Sequence, residues 1–323
     1  VYASGVAASP AIVVERLRVN RGGRRVLDEI TFDVSAGEIV GLLGPNGAGK
    51  TTTMEVLGTL LRADTGDVRI VGRDLRSDRA AVRACIGRVP QEVAVYPTLS
   101  GRENAVFFAR LAGLRSADAR REAAEALERL GLTSRADDAA GTYSSGMQRR
   151  LNLACGLLGS RPVLLLDEPT VGVDPQSLER IVGALRVQAA AGAAILCSTH
   201  QMAEAAELCD RVVLIDHGRV IALGTPAEIV AESSLGLVVE VVTPHRLPAG
   251  WLDGLAGVNE MAAPGDVDSA SAGFQARAAI DDLDLAPRVL ERAEAHGSVL
   301  ELHVQRPTLH DAFLALTGRA TRD

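Results

Sequence analysis

The sequence predicts an α/β domain followed by a smaller α+β domain, and three observations carry that expectation. Short apolar runs that read as strands alternate with amphipathic helices as far as Ala231, the pattern of a largely parallel sheet with a helical insertion. The run Ile39-Val40-Gly41-Leu42-Leu43 is continuously apolar, as suits a strand covered on both faces, and it leads straight into a glycine-rich loop. Near Ala231 the pattern changes to short strands and helices around a turn-rich stretch, Pro264–Gly273. The expected organisation is a loose tail over 1–10, an α/β domain over 11–231 with a helical part at 98–158, and an α+β domain over 232–323.

Taken in order, Ala11–Val19, Val26–Val34 and Glu38–Leu43 read as strands, and Thr51 onward as a helix. Ser100 and Glu103 have capping-box spacing ahead of a helix at Ala105–Leu111, which Gly113 can close. A second helix from Ser116 places Ala119, Ala123, Leu127 and Leu130 on one stripe, with Gly131 after it. Val163–Leu166, Ala194–Cys197, Val212–Ile215 and Val220–Leu223 are further strands, the first two separated by a helix at Gln176–Ala191. In the last domain Leu235–Val242, Phe274–Ile280 and Val299–Gln305 read as strands of a possible ferredoxin-like unit, with helices near Trp251–Leu255 and Leu285–Ala295. A final helix opens with Thr308 and Asp311 and carries Leu309, Ala312, Phe313 and Leu316 on one face. Trp251, Phe274, Phe313 and Leu316 are expected in the core, the last two alternatively at a dimer seam.

Composition narrows the function classes. With 34 basic and 41 acidic residues the net charge is −7, which argues against nonspecific attachment to nucleic acid or anionic lipid. No apolar run approaches the roughly 18 residues needed to cross a bilayer. The small, polar opening reads as a tail rather than a signal. Cys85, Cys155, Cys197 and Cys209 are widely spaced, without metal or disulfide spacing, and read as buried reduced thiols.

Lys50 is the only lysine of the sequence. It lies in Gly44-Pro45-Asn46-Gly47-Ala48-Gly49-Lys50-Thr51, which fits the phosphate-loop pattern, and Thr52 extends it. Successive backbone amides and a helix N-terminus meet the anion, and the compact ammonium reaches phosphate oxygens where a planar guanidinium would not fit. The Thr51 hydroxyl is placed to ligate Mg²⁺. A second element follows at Val163-Leu164-Leu165-Leu166-Asp167-Glu168-Pro169, an apolar strand ending in two carboxylates. Asp167 would lie beside the metal, and Glu168 near the γ-phosphate, where it could polarise the attacking water.

These motifs in this order resemble the ATP-binding subunit of an ATP-binding cassette (ABC) transporter, over Ile12 to Glu232. The resemblance implies a P-loop NTPase fold of the ABC ATPase type, with an N-terminal antiparallel β subdomain and a helical subdomain. Tyr143-Ser144-Ser145-Gly146-Met147 stands where that family has its signature, and Ser144 and the Gly146 amide would meet the γ-phosphate bound by a second copy. Gln91 matches the Q-loop glutamine that senses metal and water, Asp174 the D-loop aspartate of the subunit contact, and His200 the switch histidine that reads the γ-phosphate.

The residues Arg149-Arg150-Leu151 after the signature, and the ending Pro307-Thr308-Leu309 with Ala312-Phe313-Leu314, resemble daunorubicin-type drug exporters. That implies ATP and Mg²⁺ as cofactors, a homodimer, and a separate transmembrane permease as partner, with neither nucleic acid nor direct membrane insertion. The place implied is the inner face of the cell membrane, on the cytoplasmic side. A soluble cassette ATPase acting on ribosomes or DNA is the alternative. A binding-module role for the last domain is a third reading.

Two positions depart from the family pattern. Arg21 stands where an aromatic residue usually stacks on adenine, so GTP is expected to compete well. Ser145 replaces a signature glycine. If that position needs a positive φ or very close approach to phosphate, its Cβ should weaken dimer closure.

Overall fold

Residues 10–261 and 273–317 are described by the structure, a computed structural model. The tail over 1–9, most of the turn-rich stretch from Pro264 and the ending from Gly318 lie outside them. In chain order the elements begin with β1 (Ile12–Arg21), β2 (Arg24–Val34), β3 (Ile39–Leu43), α1 (Lys50–Leu57), β4 (Thr65–Ile70) and β5 (Arg73–Asp74). There follow α2 (Arg79–Ala84), β6 (Ile86–Val89), α3 (Gly101–Leu111), α4 (Ser116–Arg129), α5 (Ser145–Gly156) and β7 (Val163–Asp167). Next come α6 (Pro175–Ala190), β8 (Ala194–Thr199), α7 (Met202–Leu208), β9 (Arg211–Asp216), β10 (Arg219–Gly224) and α8 (Pro226–Glu232). The rest is β11 (Leu237–Thr243), β12 (Val258–Met261), β13 (Phe274–Ile280), α9 (Ala286–Glu294), β14 (Glu301–Gln305) and α10 (Leu309–Thr317).

The chain divides into two compact units. One holds the described residues up to Gln201 with Glu207–Leu223; the other holds Met202–Ala206 and the described residues from Gly224 on. The first contains an antiparallel sheet ordered β2-β1-β4-β5 and a six-stranded sheet ordered β10-β9-β3-β8-β7-β6. In the larger sheet β3 pairs in parallel with β8 and β9, and β7 with β6 and β8. All five residues of β3 are buried, as the unbroken apolar run requires of a central strand, and β7 and β8 are buried throughout as well. Side chains from both sheets share one core, with Ile12, Leu17 and Ile30 meeting Val40, Leu165 and Leu196.

The helical part follows its sequence signals. The capping box at α3 closes in both directions, Ser100 Oγ accepting from Glu103 N at 3.1 Å and Glu103 Oε2 accepting from Ser100 N at 2.8 Å. On α4 the stripe Ala119, Ala123 and Leu127 is buried, as is Leu130 just beyond. The strands β4, β5, β6 and β12 and the helices α2, α7 and α8 were not anticipated; each is short, and β6 reads Ile-Gly-Arg-Val, with no clear period.

The second unit carries the antiparallel sheet β12-β13-β11-β14. Numbered within the unit, that is the second, third, first and fourth strand, the order of a ferredoxin-like βαββαβ unit. Its first helix, expected near Trp251–Leu255, is replaced by turns, because Gly250 and Gly254 both hold positive φ, at 74° and 83°. Trp251 and Leu252 nevertheless fill the core, with Val239, Ile280 and Val289. Phe313 is buried too. Phe274 and Leu316 are not, at 44% and 40% exposed, since each lies near the end of its element. α10 packs against α8.

Candidate nucleotide site

The glycine loop runs from the buried end of β3 into α1. Gly49 caps that helix at φ 111°, and a Cβ there would sit 2.5 Å from Leu27 Cδ2, so glycine is obligatory. No acidic residue occupies the first turn of α1, which leaves its positive end open to an anion. Lys50 is 5% exposed, and its Nζ donates to the carbonyls of Gly44 at 2.7 Å and Pro45 at 3.1 Å. Burial pulls its pKa below the usual lysine value, against the opposing pull of the Glu168 and Asp167 carboxylates. A buried ammonium bonded only to carbonyls is a receptor for phosphate charge. Thr51 is exposed, while Thr52 and Thr53 are buried, Thr53 Oγ1 donating to Gly49 O at 3.0 Å.

The acidic pair lies at the end of β7, where Asp167 is in register with Ser198 of β8. Ser198 Oγ donates to Asp167 Oδ1, and Glu168 N donates to both Ser198 O and Ser198 Oγ at 3.1 Å. Those bonds hold Glu168 at φ 48°, a left-handed conformation that costs about 1–2 kcal/mol outside glycine. The kink turns its carboxylate off the sheet edge and into a clamp. Gln91 Nε2 donates to Oε2 at 2.9 Å, and His200 Nδ1 lies 3.0 Å from Oε1. With Glu168 ionised, that contact places a proton on Nδ1.

A second cluster forms around α5. Ser144 is its N-cap, Oγ accepting from Met147 N at 3.3 Å, and the first turn again holds no acid. The helix starts at Ser145. Ser145 is therefore an exposed first-turn residue and is not among the residues with positive φ, so no backbone strain attaches to its side chain. That removes the strain argument for weakened dimer closure. Gly146 is buried, and a Cβ on it would stand 3.3 Å from Asp174 Oδ2. Asp174 caps α6, accepting from Ser177 N at 2.9 Å and Ser177 Oγ at 2.7 Å, which holds its carboxyl below the ordinary range. Among the described residues no hydrogen bond or ion pair joins Ser144, Gly146 or Asp174 to the Lys50–Glu168 cluster.

Arg21, at the end of β1, places Nη1 3.3 Å from Glu55 Oε2 on α1 and is otherwise half-exposed. Sequence reasoning missed three side chains: Ser198, which orients the acidic pair, and Arg149 and Asn152 of α5, which bond to the backbone around Gln91. The available signal was a polar residue on the buried face of an otherwise apolar helix or strand.

Sheet order, glycine loop and acidic strand end together define a phosphate-loop nucleoside triphosphatase. The chain belongs to the ABC transporter family, whose model matches residues 27–171. It is 36% identical over 313 residues to the linearmycin resistance ATP-binding protein LnrL of Bacillus subtilis (strain 168), covering 96% of this chain and 99% of the relative. It is 39% identical over 302 residues to the daunorubicin/doxorubicin resistance ATP-binding protein DrrA of Streptomyces peucetius, covering 93% and 90%. Among solved structures it is similar to cbiO1 from Clostridium perfringens, described as part of the ABC transporter complex cbiONQ. There the TM-score is 0.63 at 30% identity, over 69% of this chain and 91% of that one. The protein is accordingly a nucleotide-binding, ATP-hydrolysing transporter subunit. Among the described residues no helix is long and apolar enough to cross a membrane.

Proposed function

We propose that two copies of the chain close around two MgATP and drive a separate permease that exports a drug or antibiotic. The observation that carries this reading is the clamped carboxylate: Glu168 is held between Gln91 and His200 beside the buried Asp167. Glu168 is the base that takes a proton from the attacking water, Gln91 and His200 fix its direction, and His200 contacts the γ-phosphate. Lys50 offsets phosphate charge, with the amides of Gly44 to Thr52 around it. The metal donors on the chain are Thr51, Asp167 and Gln91. These hydroxyl, carboxylate and amide oxygens are hard donors and would suit Mg²⁺. That ion, when bound, neutralises phosphate charge.

Dimerisation follows from the split between the two clusters. Ser144, Gly146 and Asp174 present an open helix N-terminus that their own chain does not direct at Lys50, and a second copy completes the site. The permease meets a groove of about 190 Å³ beside the Gln91 loop, lined in part by Pro90, Ala94, Phe108 and Leu111. Exposed Tyr96 and Phe107 continue this apolar surface, their rings 5.2 Å apart. In this reading the chain sits on the inner face of the membrane, held there by its partner. The drug-export part rests on the resistance relatives, one named for linearmycin and one for daunorubicin and doxorubicin.

The test is vesicles carrying a candidate partner permease. Added protein and MgATP should release phosphate and move daunorubicin, doxorubicin or linearmycin across the bilayer. Failure to pair or to release phosphate, with or without permease, refutes the reading.

Base selectivity gives a second expectation. The Arg21 guanidinium offers a flat cation to any purine and no edge contact specific to adenine, so GTP and ATP should bind with similar affinity. Strict adenine preference in side-by-side titrations would remove Arg21 from the base site.

A further inference from the structure

We propose that Arg149 is a positioning residue for hydrolysis, tying the signature helix to the loop that presents Gln91 to Glu168. The inference rests on Glu168 being the base. Residues 90–99 form no helix or strand, so their backbone groups must find partners elsewhere. Over 90–94 they find them on α5, while Tyr96 and Leu99 bond to Asn104 of α3. Arg149 Nη1 donates to Gln91 O, Asn152 Nδ2 donates to Pro90 O at 3.3 Å, and Asn152 Oδ1 accepts from Ala94 N at 3.0 Å. Arg149 and Asn152 are three residues apart, on one face of the helix, and both are buried, at 8% and 4% exposed. The loop is thus gripped on both sides of Gln91 by one helical face.

The consequence is a continuous path. The N-terminus of α5, at Ser144, is the end offered to a nucleotide on the partner copy. Five residues on, Arg149 holds the Gln91 carbonyl, and the side chain of the same Gln91 donates to Glu168 Oε2 at 2.9 Å. A shift of α5 when nucleotide arrives therefore moves the donor that aims the base. Arginine suits the task better than a space-filling apolar residue. Burial pulls its pKa down against the attraction of Glu168 and Asp167, yet a guanidinium keeps its charge, and no carboxylate lies within ion-pair distance of it among the described residues. A side chain needed only for packing would not bring a buried cation.

The experiment compares Arg149→Gln and Arg149→Lys with the unaltered chain. Two readouts are used: backbone hydrogen exchange over residues 90–94 in nucleotide-free protein, and steady-state hydrolysis. Arg149→Gln should speed exchange across that segment and lower kcat on the order of tenfold to a hundredfold, leaving the KM for ATP nearly unchanged. Arg149→Lys, which keeps a charged donor, should fall between and serves if the glutamine variant folds poorly. In a Gln91→Ala background the Arg149→Gln change should cost little more, because both act through one contact. Unaltered exchange over 90–94, or kcat losses that simply multiply in the double variant, would overturn the proposal. Absence of turnover in the unaltered chain would instead refute Glu168 as base, and the exchange data alone would then decide the tie.

Discussion

Glu168→Gln is expected to leave nucleotide binding intact and to stop turnover, lowering kcat by about 10²-fold to 10⁴-fold, the range that general acid–base catalysis supplies. The amide is nearly the same size and shape as the carboxylate. It still offers an oxygen to Gln91 Nε2 and its NH2 to His200 Nδ1, which accepts once the ring proton sits on Nε2, so the clamp of 2.9 and 3.0 Å contacts survives with the other tautomer. The left-handed turn at φ 48° also survives, because it is held by Ser198 through the Glu168 backbone amide. What disappears is proton affinity: a neutral amide has no lone pair basic enough to take a proton from water. The substituted chain should accumulate as an ATP-loaded dimer, visible as a doubled mass in sedimentation with MgATP and as a monomer after nucleotide removal. Phosphate release at the unaltered rate would mean that another group is the base.

The largest stability effect should come from the second unit. Asp311 is fully buried and Arg277 is 5% exposed; Oδ1 of Asp311 faces Nη1 of Arg277 at 2.7 Å, as an ion pair. The other oxygen, Oδ2, accepts from Thr308 N and Thr308 Oγ1, both at 2.7 Å, so one carboxylate caps α10 and neutralises β13. Asp311→Ala leaves a guanidinium in the interior with, among the described residues, only Glu240, at 3.5 Å, for an ionic partner. Removing one member of such a pair costs about 3–5 kcal/mol. Trp251 is the only tryptophan and is buried in this unit's core, so its fluorescence reads the unfolding midpoint directly. A midpoint within error of the unaltered chain would show that the pair contributes nothing net.

The same carboxylate gives a pH dependence of known sign. Burial alone would raise the Asp311 pKa, but the Thr308 amide and hydroxyl and the Arg277 charge outweigh it and hold the group below the ordinary aspartate value. A folded pKa below the unfolded one adds stability above the unfolded value, about 3.9. That stability is lost as pH falls through the folded value. Acid unfolding followed at Trp251 should flatten in Asp311→Asn.

The readable parts of the fold were those whose cause is local. β13 spans Phe274–Ile280 as read, and the α3 capping box needs only four consecutive residues. β3 and the glycine loop were legible because burial on both faces and anion binding each leave a compositional trace. The Trp251–Leu255 stretch misled because its apolar residues reach the core from turns, with Gly250 and Gly254 supplying φ values that a helix lacks. Within the site, the glycine loop, Asp167, Glu168, Gln91 and His200 stood out by motif. The contacts made by Arg149 and Ser198 did not, because they span 58 and 31 residues and depend on which strands become neighbours. At Ser145 the backbone φ was not legible in the sequence, and the structure removes the strain condition alone.

One consequence concerns chemical tractability. Lys50 is the sole lysine in this sequence, and its amine is already occupied by two carbonyls of its own loop. Amine-directed reagents therefore have one side-chain target, at the nucleotide pocket itself. Under the proposed function, bound nucleotide would shield that amine, so labelling at Lys50, resolved from labelling of the α-amine, would read occupancy.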